Sequence, residues 1–252
     1  MIFSWFKNRR RKQLFAKAFP EAWRKTLERL PFYSNISAEE KTALHGIIQV
    51  FAAEKYWSGC GGLVLTDEIV VSIAGQAALL LLHLPHDYFE GTDEILVYPS
   101  AFFDPRDRED MHGIVHAGQS LSGQAHVRGP VVLAWNEAER DIARGQDGRN
   151  VILHEFAHRL DMADGYADGV PLVAAVDAWA ELMEAERTVL LAAKKAGRET
   201  LLDQYGADDP AEFFAVVTEC FFEKAEYLKR EHPELFAAMS EFYGPSPTAR
   251  GD

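Results

Sequence analysis

Asn150-Val151-Ile152-Leu153-His154-Glu155-Phe156-Ala157-His158-Arg159-Leu160-Asp161 is the stretch on which the reading of this chain turns. Val151, Ile152 and Leu153 run apolar into it, Leu160 and Met162 continue a buried face, and Asp164-Gly165 supplies a stop signal. The pattern predicts a buried helix of about four turns. On such a helix His154 and His158, four apart, point from one face and can reach one Zn²⁺. Glu155 between them points close enough to serve a metal-bound water. The bland alternative is a core helix with two hydrogen-bonded histidines.

A catalytic zinc ion keeps three protein ligands and one open position, so a third donor must exist. Two residues compete. Asp164 lies six after His158, the spacing of zinc peptidases that place a glycine at the third position after the second histidine. Asp161 stands at that position here and tolerates a left-handed backbone less well. Glu212 opens a separate downstream helix, Pro210-Ala211-Glu212-Phe213-Phe214-Ala215, in which the phenylalanines would bury the turn and fix the carboxylate. It is the stronger candidate. Glu219, flanked by Cys220 and Phe221-Phe222, is placed to meet an imidazole N–H, whereas Glu223 reads as an exposed helix carboxylate. Asp161 either orients a ligating histidine or ends the helix. Tyr205, just before the Glu212 helix, can donate to the oxyanion of a tetrahedral intermediate or simply pack. His112 and His116 are also four apart, but Gly113 follows the first and no helix is expected. The other histidines have no spacing partner.

The 252 residues, 48% of them hydrophobic, are enough for a substantial core. Net charge is -13, unevenly spread: nine Lys/Arg against two Asp/Glu give residues 1–30 a balance of +7, leaving -20 for the remainder. An acidic body argues against nucleic-acid binding. Two cysteines, Cys60 and Cys220, rule out a disulfide framework and suit a reducing compartment. The head, Phe3, Trp5 and Phe6 followed by Lys7 and Arg9-Arg10-Arg11-Lys12, has the reverse order of a secretory signal. No apolar run is long enough to span a bilayer, so a soluble, cytoplasmic protein is expected. The head reads as a solvated helical arm that packs its aromatics on its own domain; the alternative is contact with an anionic membrane surface or acidic partner.

Along the chain, residues 13–31 predict a helix ended by Pro31. Ser37-Ala38-Glu39-Glu40 is a capping box before a helix over 38–55. Leu63-Val64-Leu65 predicts a strand, followed by a turn at 66–68. Ile69 to Ile73 predicts a second strand or a helix start, and Gln76 to Leu84 a buried helix ended by Pro85. Strands are expected at 95–98 and 131–135, an irregular segment at 104–126, and a possible short helix within 136–148. Long helices are expected over 173–196, 210–228 and 233–243, with a disordered tail from 244 to 252. Strands gather in the first half and helices in the second. That favours an α+β fold: a basic arm over 1–30 and one compact domain over 31–243, mostly helical with a small mixed sheet.

The separated blocks Gly59-Cys60-Gly61-Gly62-Leu63, Thr66-Asp67-Glu68, Val97-Tyr98-Pro99-Ser100, Val131 to Trp135, Asn150 to Asp161, Asp168-Gly169-Val170-Pro171 and Pro210 to Val216 resemble, in order, the Mlc titration factor A family of zinc-dependent peptidases. The resemblance implies a zincin-like fold, with His154, His158 and Glu212 as ligands of one Zn²⁺ and Glu155 as general acid/base. The catalytic region is similar to that of anthrax lethal factor, in which a tyrosine seven residues before the ligating glutamate assists catalysis; Tyr205 stands there. The commoner zinc signature, Asn-Glu with an Asp four later, is absent, since Ala211 precedes Glu212 and Val216 follows. The family resemblance also implies a cytoplasmic protein with aminopeptidase-type activity on peptides. It further implies binding of the glucose repressor Mlc, so sequestration of a repressor with incidental hydrolysis stands as the alternative.

Overall fold

A computed structural model describes residues 2–100, the short strands at 102–103, 108–109, 115–116, 120–121 and 123–125, and residues 129–249, with side chains over 5–100 and 129–249. Ten helices and eight strands follow in chain order among the described residues. The first half holds helices α1 (Ile2–Phe15), α2 (Glu21–Leu27) and α3 (Ala38–Glu54), strand β1 (Tyr56–Gly59), helix α4 (Asp67–Leu81) and strand β2 (Glu94–Tyr98). Strands β3 (Phe102–Phe103), β4 (Arg108–Glu109), β5 (Val115–His116) and β6 (Ser120–Leu121) form two small antiparallel ladders, β3 with β6 and β4 with β5. Strands β7 (Gly123–Ala125) and β8 (Val131–Ala134) lead into α5 (Trp135–Arg144), α6 (Val151–Asp161), α7 (Val176–Lys195), α8 (Pro210–Glu223), α9 (Ala225–Glu231) and α10 (Pro233–Tyr243).

The main sheet has the order β1-β2-β8-β7. β1, β2 and β8 are parallel, and β7 closes the edge antiparallel to β8. Parallel neighbours need crossover helices. Here α4 lies between β1 and β2 in the chain, and Val131 to Ala134 are buried throughout, as a covered strand requires. Small sheet and helical majority together make the α+β architecture expected. The helix α6 packs against α4, α8, β7 and β8, so the motif lies at the junction of the sheet with the helical half. One continuous core runs from Leu27 through Phe51, Leu80, Ile95 and Phe156 to Phe214, Phe221 and Tyr243.

Several local expectations are corrected. Residues 13–31 are not one helix: Pro20 lacks an N–H to continue it and sits before α2. Residues 63–65 form no strand, and of the two readings of Ile69 to Ile73 the helix holds. The Thr66 hydroxyl accepts the Ile69 N–H and starts α4, and the β-branched run that suggests a strand is helical because Ile69, Val71 and Ile73 all bury. Strand β1, unexpected from the sequence, follows α3 directly. The motif helix has 11 residues, then a 3-10 turn over Met162–Asp164 and Gly165 in a left-handed conformation. The helix expected over 210–228 breaks at Lys224. The tail is ordered through Ala249: Ser246 is 1% exposed and its hydroxyl donates to the Phe221 carbonyl at 2.7 Å. Thr248 likewise donates to the Phe222 carbonyl, so the tail satisfies acceptors at the end of α8. Most of 104–126, His112 and His126 included, lies outside the described residues. Trp5 and Phe6 do not pack on the domain; they are exposed.

Candidate metal centre

Asn150 starts α6. Its Oδ1 accepts the Leu153 N–H at 3.1 Å, and its Nδ2 donates to Glu223 Oε1 and to Gln76 Oε1. Its backbone N–H donates to Glu219 Oε2 at 2.5 Å. One residue therefore caps the motif helix and ties it to α4 and α8. Glu223, expected to be exposed, instead accepts two of these local donors, from Asn150 and the Gln146 N–H, and burial raises its carboxyl. The opposite anchor is the start of α8, where Asp209 accepts the Glu212 N–H at 2.9 Å and Pro210 occupies the first turn. The loop after α6 locks against it. A Cβ on Gly169, at φ 77°, would stand 2.4 Å from the Pro210 carbonyl oxygen, so only glycine lets the two backbones approach.

These anchors bring three donors together. His154 Nε2 lies 3.2 Å from His158 Nε2 and 3.0 Å from Glu212 Oε2, and His158 Nε2 lies 3.5 Å from the same carboxylate oxygen. All three can offer one ligand atom within 4.8 Å of the others, the single such His/Cys/Asp/Glu group among the described residues. His154 Nδ1 meets Glu219 Oε1 at 2.7 Å. A carboxylate accepts only, so Nδ1 carries a proton, and Nε2, which faces Glu212, can present a lone pair only when the imidazole is neutral. Burial opposes a charge on His154, but Glu219 and Glu212 outweigh it and raise its pKa well above the usual value. Burial likewise opposes charge on Glu212, yet the two imidazoles hold it well below the carboxylate range. Three carboxylates crowd two histidines in a mostly buried spot, an arrangement that favours a cation at the point where the donors meet.

Glu155 is 4% exposed and its Oε2 has no hydrogen-bond partner among the described residues. Burial pushes its carboxyl up to about 8; His154 opposes this, while Glu212 and Glu219 add to it. The Tyr205 ring lies 6.2 Å from that of His154, and the residue is half exposed. Its pKa is raised by burial and then by Glu212. Asp161 is fully buried at the end of α6. Burial pushes its carboxyl up to about 7, and no hydrogen bond joins it to either motif histidine. Asp164 is exposed, accepts the Tyr166 N–H and stands outside the donor group. Sequence reasoning missed Asn150 as the hub of this site, although an Asn just before an apolar periodic run is a capping signal.

A family model described as glucose-regulated metallo-peptidase M90 matches residues 5–244. The chain belongs to the M90 metallopeptidase family. An uncharacterised protein of Synechocystis sp. is 40% identical to this M90 chain over 245 residues, 94% of this chain and 89% of its own. Proteins named Mlc titration factor A from Yersinia enterocolitica and Yersinia pestis are each 33% identical over 234 residues, 90% of this chain and 86% of theirs. The M90 match spans both α6 and α8, so all the converging donors lie inside it.

Proposed function

We propose that this chain is a zinc-dependent metallopeptidase in which His154, His158 and Glu212 hold the metal and Glu155 is the general acid/base. The observation that carries the reading is the convergence of these three donors beside a buried, unpartnered carboxylate. Tetrahedral zinc with bonds of ~2.0–2.1 Å spaces its ligand atoms ~3.3 Å apart, and the spacings here are 3.0, 3.2 and 3.5 Å. Two nitrogens and one oxygen, with no fourth His, Cys, Asp or Glu donor grouped with them among the described residues, match a catalytic rather than a four-ligand structural site. When bound, zinc supplies Lewis acidity toward a peptide carbonyl and makes a water more acidic.

The protein's own groups do the rest. Glu219 fixes the His154 ring and tautomer. Glu155 takes the proton of the attacking water and passes it to the leaving amine, a task suited to a carboxyl poised near neutral pH. Tyr205 donates its phenol to the oxygen that becomes negative as the carbonyl turns tetrahedral. Asp161 has the weaker part, shaping the end of α6. In this reading the substrate is a peptide, cleaved in an aminopeptidase-type reaction. The fold is zincin-like, with the catalytic domain starting near residue 31 and the α1–α2 segment as its basic arm. Two free cysteines suit a cytoplasmic setting.

A second reading has one specific support, the name Mlc titration factor A borne by relatives that align over 90% of this chain. In that reading the protein binds an Mlc-like repressor, and hydrolysis is incidental. Metal analysis by mass spectrometry with a fluorogenic aminoacyl and peptide panel tests both. One zinc per chain with chelator-sensitive hydrolysis is the expected result. Zinc without hydrolysis, together with repressor capture by Glu155→Gln, moves the conclusion to titration. Absence of zinc under metal-replete conditions overturns the peptidase.

A further inference from the structure

Helix α1 docks on its own domain by the wrong face for an ordinary amphipathic helix. A surface helix turns its apolar stripe inward and its charges to water. In α1 the inward positions are Lys7, Arg11 and Leu14, with Phe15 laying an aromatic ring on α3, against Gly46, while Trp5 and Phe6 are 56% and 59% exposed. The inner contacts are mostly ionic. Arg11 binds Glu54 with two nitrogens, at 2.8 and 2.7 Å, and also donates to the Asp87 carbonyl at 2.9 Å; Lys7 pairs with Glu90 at 2.8 Å. The outer face joins the two aromatics to Arg9 and Lys12, both exposed, with the Arg9 guanidinium over the Trp5 ring at 5.4 Å, while Arg10 reaches back to the Ala53 carbonyl of α3.

We infer that the outer face of α1 is a peripheral docking surface for an anionic lipid bilayer. Three observations select this occupant. Residues 1–30 carry +7 in a chain of net -13, so the cationic face is segregated from an acidic body that an anionic surface would repel. Cations beside aromatic rings on one side of a helix are what the interface of such a bilayer accommodates: the rings enter the headgroup boundary while the cations meet anionic lipid. An acidic protein face would satisfy the cations and leave Trp5 and Phe6 without a comparable place. The ion pairs on the inner face hold α1 against the domain, so docking presents the whole molecule in one orientation. None of this depends on the metal centre.

Vesicle flotation of the full chain tests the inference. Wild type should float with vesicles of phosphatidylcholine and phosphatidylglycerol in equal parts, not with phosphatidylcholine alone, and high salt should release it. Reversing the outer cations in Arg9→Glu/Lys12→Glu should weaken partitioning on the order of a hundredfold. Trp5→Ser/Phe6→Ser should weaken it while leaving the salt response in place. Circular dichroism and metal content of both variants should match wild type, which separates loss of docking from loss of fold. No flotation with anionic vesicles overturns the inference, as does equal flotation with neutral ones or an undiminished charge-reversed variant. Self-association abolished by the same charge reversal, without flotation, would assign the face to a second copy of this chain and overturn it too.

Discussion

Glu155 is held inside the protein with one carboxylate oxygen lacking any hydrogen-bond partner among the described residues, a costly arrangement unless that oxygen has work to do. Glu155→Gln keeps size and burial but cannot accept a proton. It should lower turnover by about 10²–10⁴-fold while mass spectrometry still finds the metal. Glu212→Ala should lose the metal and Asp164→Ala should keep it, since Asp164 stands outside the donor group; the opposite pattern would reject the ligand assignment. Glu219→Ala leaves the His154 Nδ1 proton without its acceptor, and a chelator competition should show metal binding weakened by about 10–100-fold. His154, Glu155, His158, Glu212 and Glu219 were legible because helix spacing alone puts the first three on one site, a downstream helix start exposes Glu212, and Glu219 lies about two turns further along that helix. Asn150 and Glu223 were not, because their partners lie some 70 residues away, and no local pattern encodes that.

At the scale of elements, α3 was readable because its start carries a capping box, Ser37 with Glu40, and α6 because Val151, Ile152 and Leu153 run apolar into the motif. The sequence around α4 misled because β-branched residues signal a strand only when the tertiary setting lets them, and there they fill a helix buried on all sides. Helix α3 also carries His45, stacked on Phe19 at 3.9 Å and bonded to the Tyr33 hydroxyl at 2.8 Å. Burial lowers its pKa to about 4, with Arg24 and Lys41 acting in the same direction. The unfolded chain therefore binds more protons than the native one between pH ~4 and ~6.5. This contribution is complete above pH ~6.5 and disappears as pH falls toward 4, by ~1 kcal/mol once partial exposure is allowed for. Urea titrations at pH 7 and pH 5 should show the loss, and His45→Gln should flatten the difference. An unchanged difference would place the pH response elsewhere.

For the whole molecule, the candidate metal centre is the joint between α6 at the sheet and α8 in the helical half. A ligand bound to the native state alone adds stability, ~2.7 kcal/mol at a hundred times its Kd. Metal-loaded protein should therefore unfold at a higher temperature than chelated protein, and Glu212→Ala should abolish the difference; calorimetry reads both. The same joint sets an order of events during synthesis. His154 and Glu212 are 58 residues apart, which a ribosome adding ~5–20 residues per second takes ~3–12 s to translate. Through that interval the nascent chain offers two imidazoles without their carboxylate, and the apolar side of α6 waits for Phe213, Phe214 and Phe221 to arrive. The full set of donors proposed for the metal therefore exists only once residue 212 has been made, and the two halves of the joint can close only then.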